Sequence, residues 1–150
     1  MTVRHGGSVI VVDPSPLSLL TLAGILHHEG YECVCARDAA AAVVAAGSAC
    51  RDIVVWDVGS SAPDAIAGIN AIRSSSDYQM LPIVFIAEHR WAGLEKKAEA
   101  MRAPSRCLFK PIDPASLVAV VQQTLWLPSL VNAHRRRGSR PSRPGWVTLD

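Results

Sequence analysis

The apolar positions fall into short β-branched runs separated by segments with helical spacing. Ser8-Val-Ile-Val-Val12, closed by Asp13-Pro14, predicts a strand buried on both faces. Ser15-Pro16 then supplies a cap and a first-turn proline, and Leu19, Leu22, Ala23 and Leu26 recur at helical spacing until Gly30 stops the helix. A second strand is expected over 31–36, and a third over 52–56, ending at Asp57; between them Asp38 caps an alanine-rich helix to about Ala46. Residues 58–63 read as a loop and 64–73 as a helix with Ile66, Ile69 and Ile72 on one side. The rhythm continues with a strand over 82–87, an amphipathic helix over 91–101, a short strand over 106–109, and a helix from Asp113-Pro114 to about Trp126.

Five β-α units in sequence predict an α/β fold with a doubly wound parallel sheet, and the strand order expected is the flavodoxin-like 2-1-3-4-5. The expected boundaries are an N-terminal arm at 1–7, a domain at 8–127 and a flexible basic tail at 128–150. Ligands of such sheets sit at the carboxyl ends of the strands, where this sequence puts Asp13, Asp57, Ala87-Glu88-His89 and Lys110-Pro111.

Charge separates body from tail. Residues 1–130 carry a net charge of −2, and residues 131–150, with five arginines and one aspartate, carry +4. The tail residues Arg135, Arg136, Arg137, Arg140 and Arg143 lie among Gly, Ser and Pro, a composition that cannot pack a core. They are either a solvated tail or a non-specific, salt-dependent contact for nucleic acid, an acidic partner or anionic lipid. No apolar stretch has the length and purity of a membrane span, and the N-terminal run is too short for a signal peptide, so a cytoplasmic protein is expected. The four cysteines, Cys33, Cys35, Cys50 and Cys107, are too diluted for a disulfide scaffold and are expected as buried free thiols. Their C-x-C pair lacks a second pair at zinc-site spacing.

Two carboxylates on one rim repel each other unless a cation neutralises them, and a lysine opposite completes a phosphate pocket. A carboxylate can also act as nucleophile toward a phosphoryl group. Residue chemistry alone leaves simple ion binding open beside that reaction. The plain alternatives are a loop carboxylate at Asp57, a turn residue at Asp13, a solvated strand-end lysine at Lys110 and ordinary loop polarity at Glu88 and His89.

Over residues 8–126 the chain resembles the receiver domains of two-component response regulators, in the order and spacing of Val-Ile-Val-Val-Asp13, Gly30-Tyr31-Glu32, Asp52-Ile-Val-Val-Trp-Asp57, Pro82-Ile-Val-Phe-Ile and Phe109-Lys110-Pro111-Ile-Asp113. The resemblance implies phosphorelay signalling rather than an enzyme, with Asp57 as phosphoacceptor, Lys110 contacting the phosphoryl group and a cis Lys110–Pro111 bond. It implies magnesium held by Asp13, Asp57 and the Gly59 backbone carbonyl. It also implies a sensor histidine kinase or phosphotransfer protein upstream and a downstream protein on the face of strands 4 and 5 and the last two helices, near Trp91, Arg106 and Cys107.

The departures from the family pattern are specific. Pro14 stands where the family has a second acidic residue, which implies weak or absent magnesium. Ala87 stands where a Thr or Ser hydroxyl couples phosphate to loop movement, and Cys107 where an aromatic residue moves inward. The reading is an atypical receiver, weakly phosphorylated or acting as a phosphate-independent interaction module. The alternative is a constitutive nucleic-acid or acidic-partner adaptor working through the tail. The Leu117, Val120, Val121, Leu125 pattern is expected as a buried helix face, with a homodimer seam as its alternative.

Overall fold

A computed structural model describes residues 6–135, with side chains described through Trp126. Its elements are β1 (Ser8–Val12), α1 (Pro16–His28), β2 (Glu32–Ala36), α2 (Ala39–Ser48), β3 (Ile53–Asp57), α3 (Ala62–Arg73), β4 (Ile83–Ala87), α4 (Gly93–Glu99), β5 (Ser105–Phe109) and α5 (Pro114–Arg135), with 3-10 turns at Ser76–Tyr78 and His89–Trp91. All strands are parallel, in the order β2-β1-β3-β4-β5, as expected from the sequence.

Alternation along the strands divides the core into two layers. Val9, Val11, Ile53, Val55, Val84 and Ile86 face Leu19, Leu22 and Leu26 of α1 and Leu117 and Val121 of α5. On the other side, Ile10, Val12, Val54, Trp56, Ile83 and Phe85 meet the alanines of α2, Ile69 and Ile72 of α3, and Leu94 and Ala98 of α4. β1, β3 and β4 are therefore buried at every position, which is why they read as unbroken apolar runs. Leu117 and Val121 are buried and Val120 and Leu125 partly so, which settles that stripe of α5 as a core face.

Four expectations need correction. α3 begins at Ala62 rather than Asp64, because Ser61 caps it by accepting the Asp64 amide at 3.4 Å. α4 spans only Gly93–Glu99, preceded by the 3-10 turn, because Ala92 in the cap position offers no side-chain acceptor. α5 continues past Trp126 to Arg135, so the first eight residues of the expected tail are helical. Arg135 ends that helix, and Arg136, Arg137, Arg140 and Arg143 lie outside the described residues. The four cysteines are free thiols, but none is fully buried: Cys33 and Cys107 are half-buried, and Cys35 and Cys50 are exposed. β2 is an edge strand, so its alternating side chains are only partly covered.

The end of the sheet opposite the strand carboxyl termini is tied by two partly buried arginines. Arg51, its side chain 6% exposed, donates to the Ala45 carbonyl at 2.9 Å, to Ser48 Oγ at 2.9 Å and to Ser8 Oγ at 3.2 Å. Arg73 donates twice to the Leu81 carbonyl, at 2.7 and 2.9 Å, and to the Pro104 carbonyl and Ser105 Oγ at 3.2 and 3.1 Å. Among the described residues no helix is long and apolar enough to cross a membrane.

Candidate functional site

Strand register assembles the rim. Val12 pairs with Trp56, so the next residues, Asp13 and Asp57, emerge side by side at the carboxyl end of the sheet. Ala87 pairs with Phe109, and the Lys110 amide donates to the Ala87 carbonyl at 2.9 Å, which brings the lysine to the same end. The Lys110–Pro111 bond is cis, as the resemblance implied.

Asp57 is 2% exposed, and both of its oxygens are engaged. Oδ2 lies 2.8 Å from Lys110 Nζ, and Oδ1 accepts the Gly59 amide at 3.0 Å. Asp13 is equally buried but differently served. Its Oδ1 accepts the Ser15 amide at 2.9 Å, whereas Oδ2 is buried without a hydrogen-bond partner. Burial pushes the Asp13 carboxyl above its ordinary value, helped by the nearby Asp57 charge and opposed by the Ser18 hydroxyl, the Ser15 amide and Lys110. Replacing this carboxylate with an amide removes an incompletely paired buried charge. Asp13→Asn is therefore expected to stabilise the fold at neutral pH by about 1 kcal/mol, read as a raised thermal midpoint; a lowered midpoint would contradict the account.

The orphaned Asp13 oxygen is the observation that suits a cation. The rest of the donor set is thin, because Asp57 already carries the lysine and Pro14 contributes no side-chain oxygen. Two carboxylates and the Gly59 carbonyl could hold magnesium only with water filling the other half of its octahedral shell. Among the described residues no group of three or more His, Cys, Asp or Glu is placed to hold a metal. Pro14 also shapes the loop opposite. Gly59 has φ +59°, and a Cβ there would stand 2.9 Å from Pro14 Cγ, so the proline ring and the glycine occupy neighbouring space that no larger side chain at 59 could share.

Cations supply what the carboxylates lack. Arg37 Nη2 donates to the Pro14 carbonyl and Arg90 Nη2 to the Gly59 carbonyl, each at 3.4 Å. Neither arginine was singled out from the sequence, where an exposed arginine in a loop carries no signal. Glu88 pairs with Arg90 at 3.5 Å, and His89 stacks on Phe109 with ring centroids 5.1 Å apart. Ala87 is buried and places a methyl group at the end of β4. Cys107 pairs in register with Phe85 and lies half-buried, its thiol pushed up to about 11 chiefly by burial, with Glu95 adding to the rise. Trp91 is half-buried and Arg106 exposed on the same flank of the sheet. Asp57, Lys110, Asp13 and Gly59 thus meet at one rim, while Cys107 lies along β5 away from it.

No family model and no curated protein matches the sequence. Solved structures do match. The chemotaxis response regulator CheY4 of Vibrio cholerae is 25% identical with a TM-score of 0.70, over 79% of this chain and 98% of that one. The receiver domain of NtrX from Brucella abortus is 28% identical with a TM-score of 0.69, over the same shares. A response regulator receiver domain protein from Clostridium thermocellum, at 16% identity and a TM-score of 0.73, shares the fold, over 83% of this chain and 98% of that one. Receiver domains serve two-component signalling, are typically non-enzymatic and generally bind magnesium in their acidic site. The likeness runs through nearly the whole length of two signalling modules, in sequence as well as in backbone, and it supports a receiver domain of the response-regulator kind.

Proposed function

We propose that Asp57 is the phosphoacceptor of a receiver whose metal site and switch are depleted, so that the chain is phosphorylated weakly or works as a phosphate-independent docking module. The observation that carries this reading is the 2.8 Å contact between Lys110 Nζ and the buried Asp57 carboxylate. In the transfer, an Asp57 oxygen forms the new bond to phosphorus as the donor's bond to phosphorus breaks, and the departing group leaves with the electron pair. The Lys110 ammonium stands against the charge that gathers on the transferring oxygens, and the Gly59 amide keeps the carboxylate oriented. Magnesium, when bound, would neutralise part of that charge, and Asp13, Asp57 and the Gly59 carbonyl would hold it.

The depletion follows from side-chain chemistry. Ala87 cannot donate a hydrogen bond to a phosphoryl oxygen, and Cys107 has no ring to move inward. Signal would come from a sensor histidine kinase or phosphotransfer protein. Output would go to a downstream protein on the β4-α4-β5-α5 face, where Trp91, Arg106 and Cys107 lie.

Intact-protein mass after incubation with magnesium and acetyl phosphate tests the reading. Wild type should gain one phosphoryl group slowly, Asp57→Asn none, and Pro14→Asp should label at least about tenfold faster by restoring an oxygen ligand. Wild type that stays unlabelled while Pro14→Asp labels would move the function to docking alone. Labelling that survives in Asp57→Asn would remove Asp57 from the role.

A further inference from the structure

Three consecutive residues of the 3-10 turn after β4 have so far no chemical role: His89, Arg90 and Trp91. Each touches a different part of the rim. His89 stacks on Phe109, the neighbour of Lys110. Arg90 reaches the Gly59 carbonyl, two residues past Asp57. Trp91 lies under the Arg90 guanidinium, with 5.1 Å between the guanidinium carbon and the ring centroid, and its Nε1 is buried without a hydrogen-bond partner.

The hold on Arg90 is weak at every contact. Its bond to Gly59 is long at 3.4 Å, the Glu88 carboxylate stands 3.5 Å from Nε, and both of these charged side chains are more than half exposed. A guanidinium has five N–H donors in a planar fork, and among the described residues Nη1 of Arg90 meets no acceptor. An exposed pair of this kind contributes little to stability, so the guanidinium can leave it at small cost. A tetrahedral oxyanion beside Asp57 carries up to two negative charges and presents several acceptor oxygens, which a guanidinium meets two at a time. Ala87 leaves the β4 side of that position without a donor.

We propose that Arg90 is an anion-binding residue of this rim, closing over a phosphate or phosphoryl group from the β4 side and sharing its charge with Lys110. The proposal rests on the reading of Asp57 as phosphoacceptor for the source of the anion, though not for the site itself. Swinging from Gly59 to the anion carries the turn with it, so the buried indole N–H of Trp91 reports the event.

The test has two arms, each on the full chain. In the first, inorganic phosphate is titrated into Asp57→Asn, whose rim has lost a competing charge, and the Trp91 indole resonance, assigned with Trp91→Phe, is followed at constant ionic strength. A saturable shift is expected, with affinity falling about tenfold in Arg90→Ala and less in Arg90→Lys, which keeps the charge without the fork. In the second arm, wild type and Arg90→Ala are compared for the rate of labelling by acetyl phosphate, with a drop of similar size expected. No saturable shift, or equal phosphate affinity with and without Arg90, overturns the proposal. An Arg90-dependent shift in a protein whose wild type never labels supports Arg90 with free phosphate as the anion, and it is then the reading of Asp57 that fails.

Discussion

Gly68→Ala is expected to destabilise the domain by about 2 kcal/mol, although alanine is the better helix former by about 1 kcal/mol. Gly68 lies in the middle of α3, and a Cβ there would come to 3.0 Å from both Cζ2 and Cζ3 of Trp56 and closer still to Cη2. Making room for that methyl group means displacing Trp56, a core residue of β3, only 5% exposed and packed in the layer of α2, α3 and α4. Overpacking therefore outweighs helix propensity. The sign should reverse when the indole is removed. In a Trp56→Leu background, Gly68→Ala should be neutral or stabilising by about 1 kcal/mol, because the methyl then enters vacated space and only the propensity term remains. Urea midpoints of the four proteins close the cycle, and equal costs in both backgrounds would rule out the interlock. Trp56 immediately precedes Asp57, so the glycine also protects the placement of the Asp57 carboxylate beside Lys110.

Arg73→Met should cost about 3 kcal/mol, far more than the roughly 0.5 kcal/mol typical of a surface charge. The side chain is partly buried, and burial pushes its guanidinium down to about 10, which leaves it charged at neutral pH. It faces no carboxylate among the described residues. Its acceptors are instead the Leu81 and Pro104 carbonyls, Ser105 Oγ and, at 3.4 Å, Met101 Sδ. Methionine would relieve the desolvation of the charge and keep much of the apolar volume. It would also leave the Leu81 carbonyl, which takes two of these bonds, without a donor at the entry to β4, whereas the Pro104 carbonyl keeps the Ile83 amide at 3.0 Å. The orphaned carbonyl and the loosened junction of α3 with β4 and β5 are the larger effects. Arg73→Lys should rescue little, since one ammonium cannot span acceptors that a planar fork reaches from two edges. A urea midpoint within experimental error of wild type for either variant would make Arg73 an ordinary partly covered cation.

The parts of the fold legible in the sequence are those set by local pattern. Unbroken β-branched runs identified β1, β3 and β4, because central strands of a parallel sheet are covered on both faces and need no polar alternation. The rim carboxylates were legible because each stands immediately at or after the end of such a run. Exposure of Cys35 follows from β2 lying at the sheet edge, which the expected strand order already implied and the general preference of free cysteines for burial overrode. Not legible were the partners of Arg73, Arg51 and Arg90, which lie across the sequence and are made only when strands and loops meet. The start of α3 is the opposite case: its signal, Ser61 ahead of Pro63, stands in the sequence, within a Ser-, Gly- and Pro-containing stretch that reads equally as loop.

The arginine ties at one end of the sheet bear on the freedom of the other. With Arg51 and Arg73 binding the strand entries to α2, β4 and β5, the architecture is secured about a strand's length away from Asp13, Asp57 and Lys110. Those three side chains lie outside the contacts that hold the strand entries together. The rim can therefore vary in side-chain chemistry while the sheet keeps its outline, and a proline at 14 and an alanine at 87 are side chains such a division tolerates.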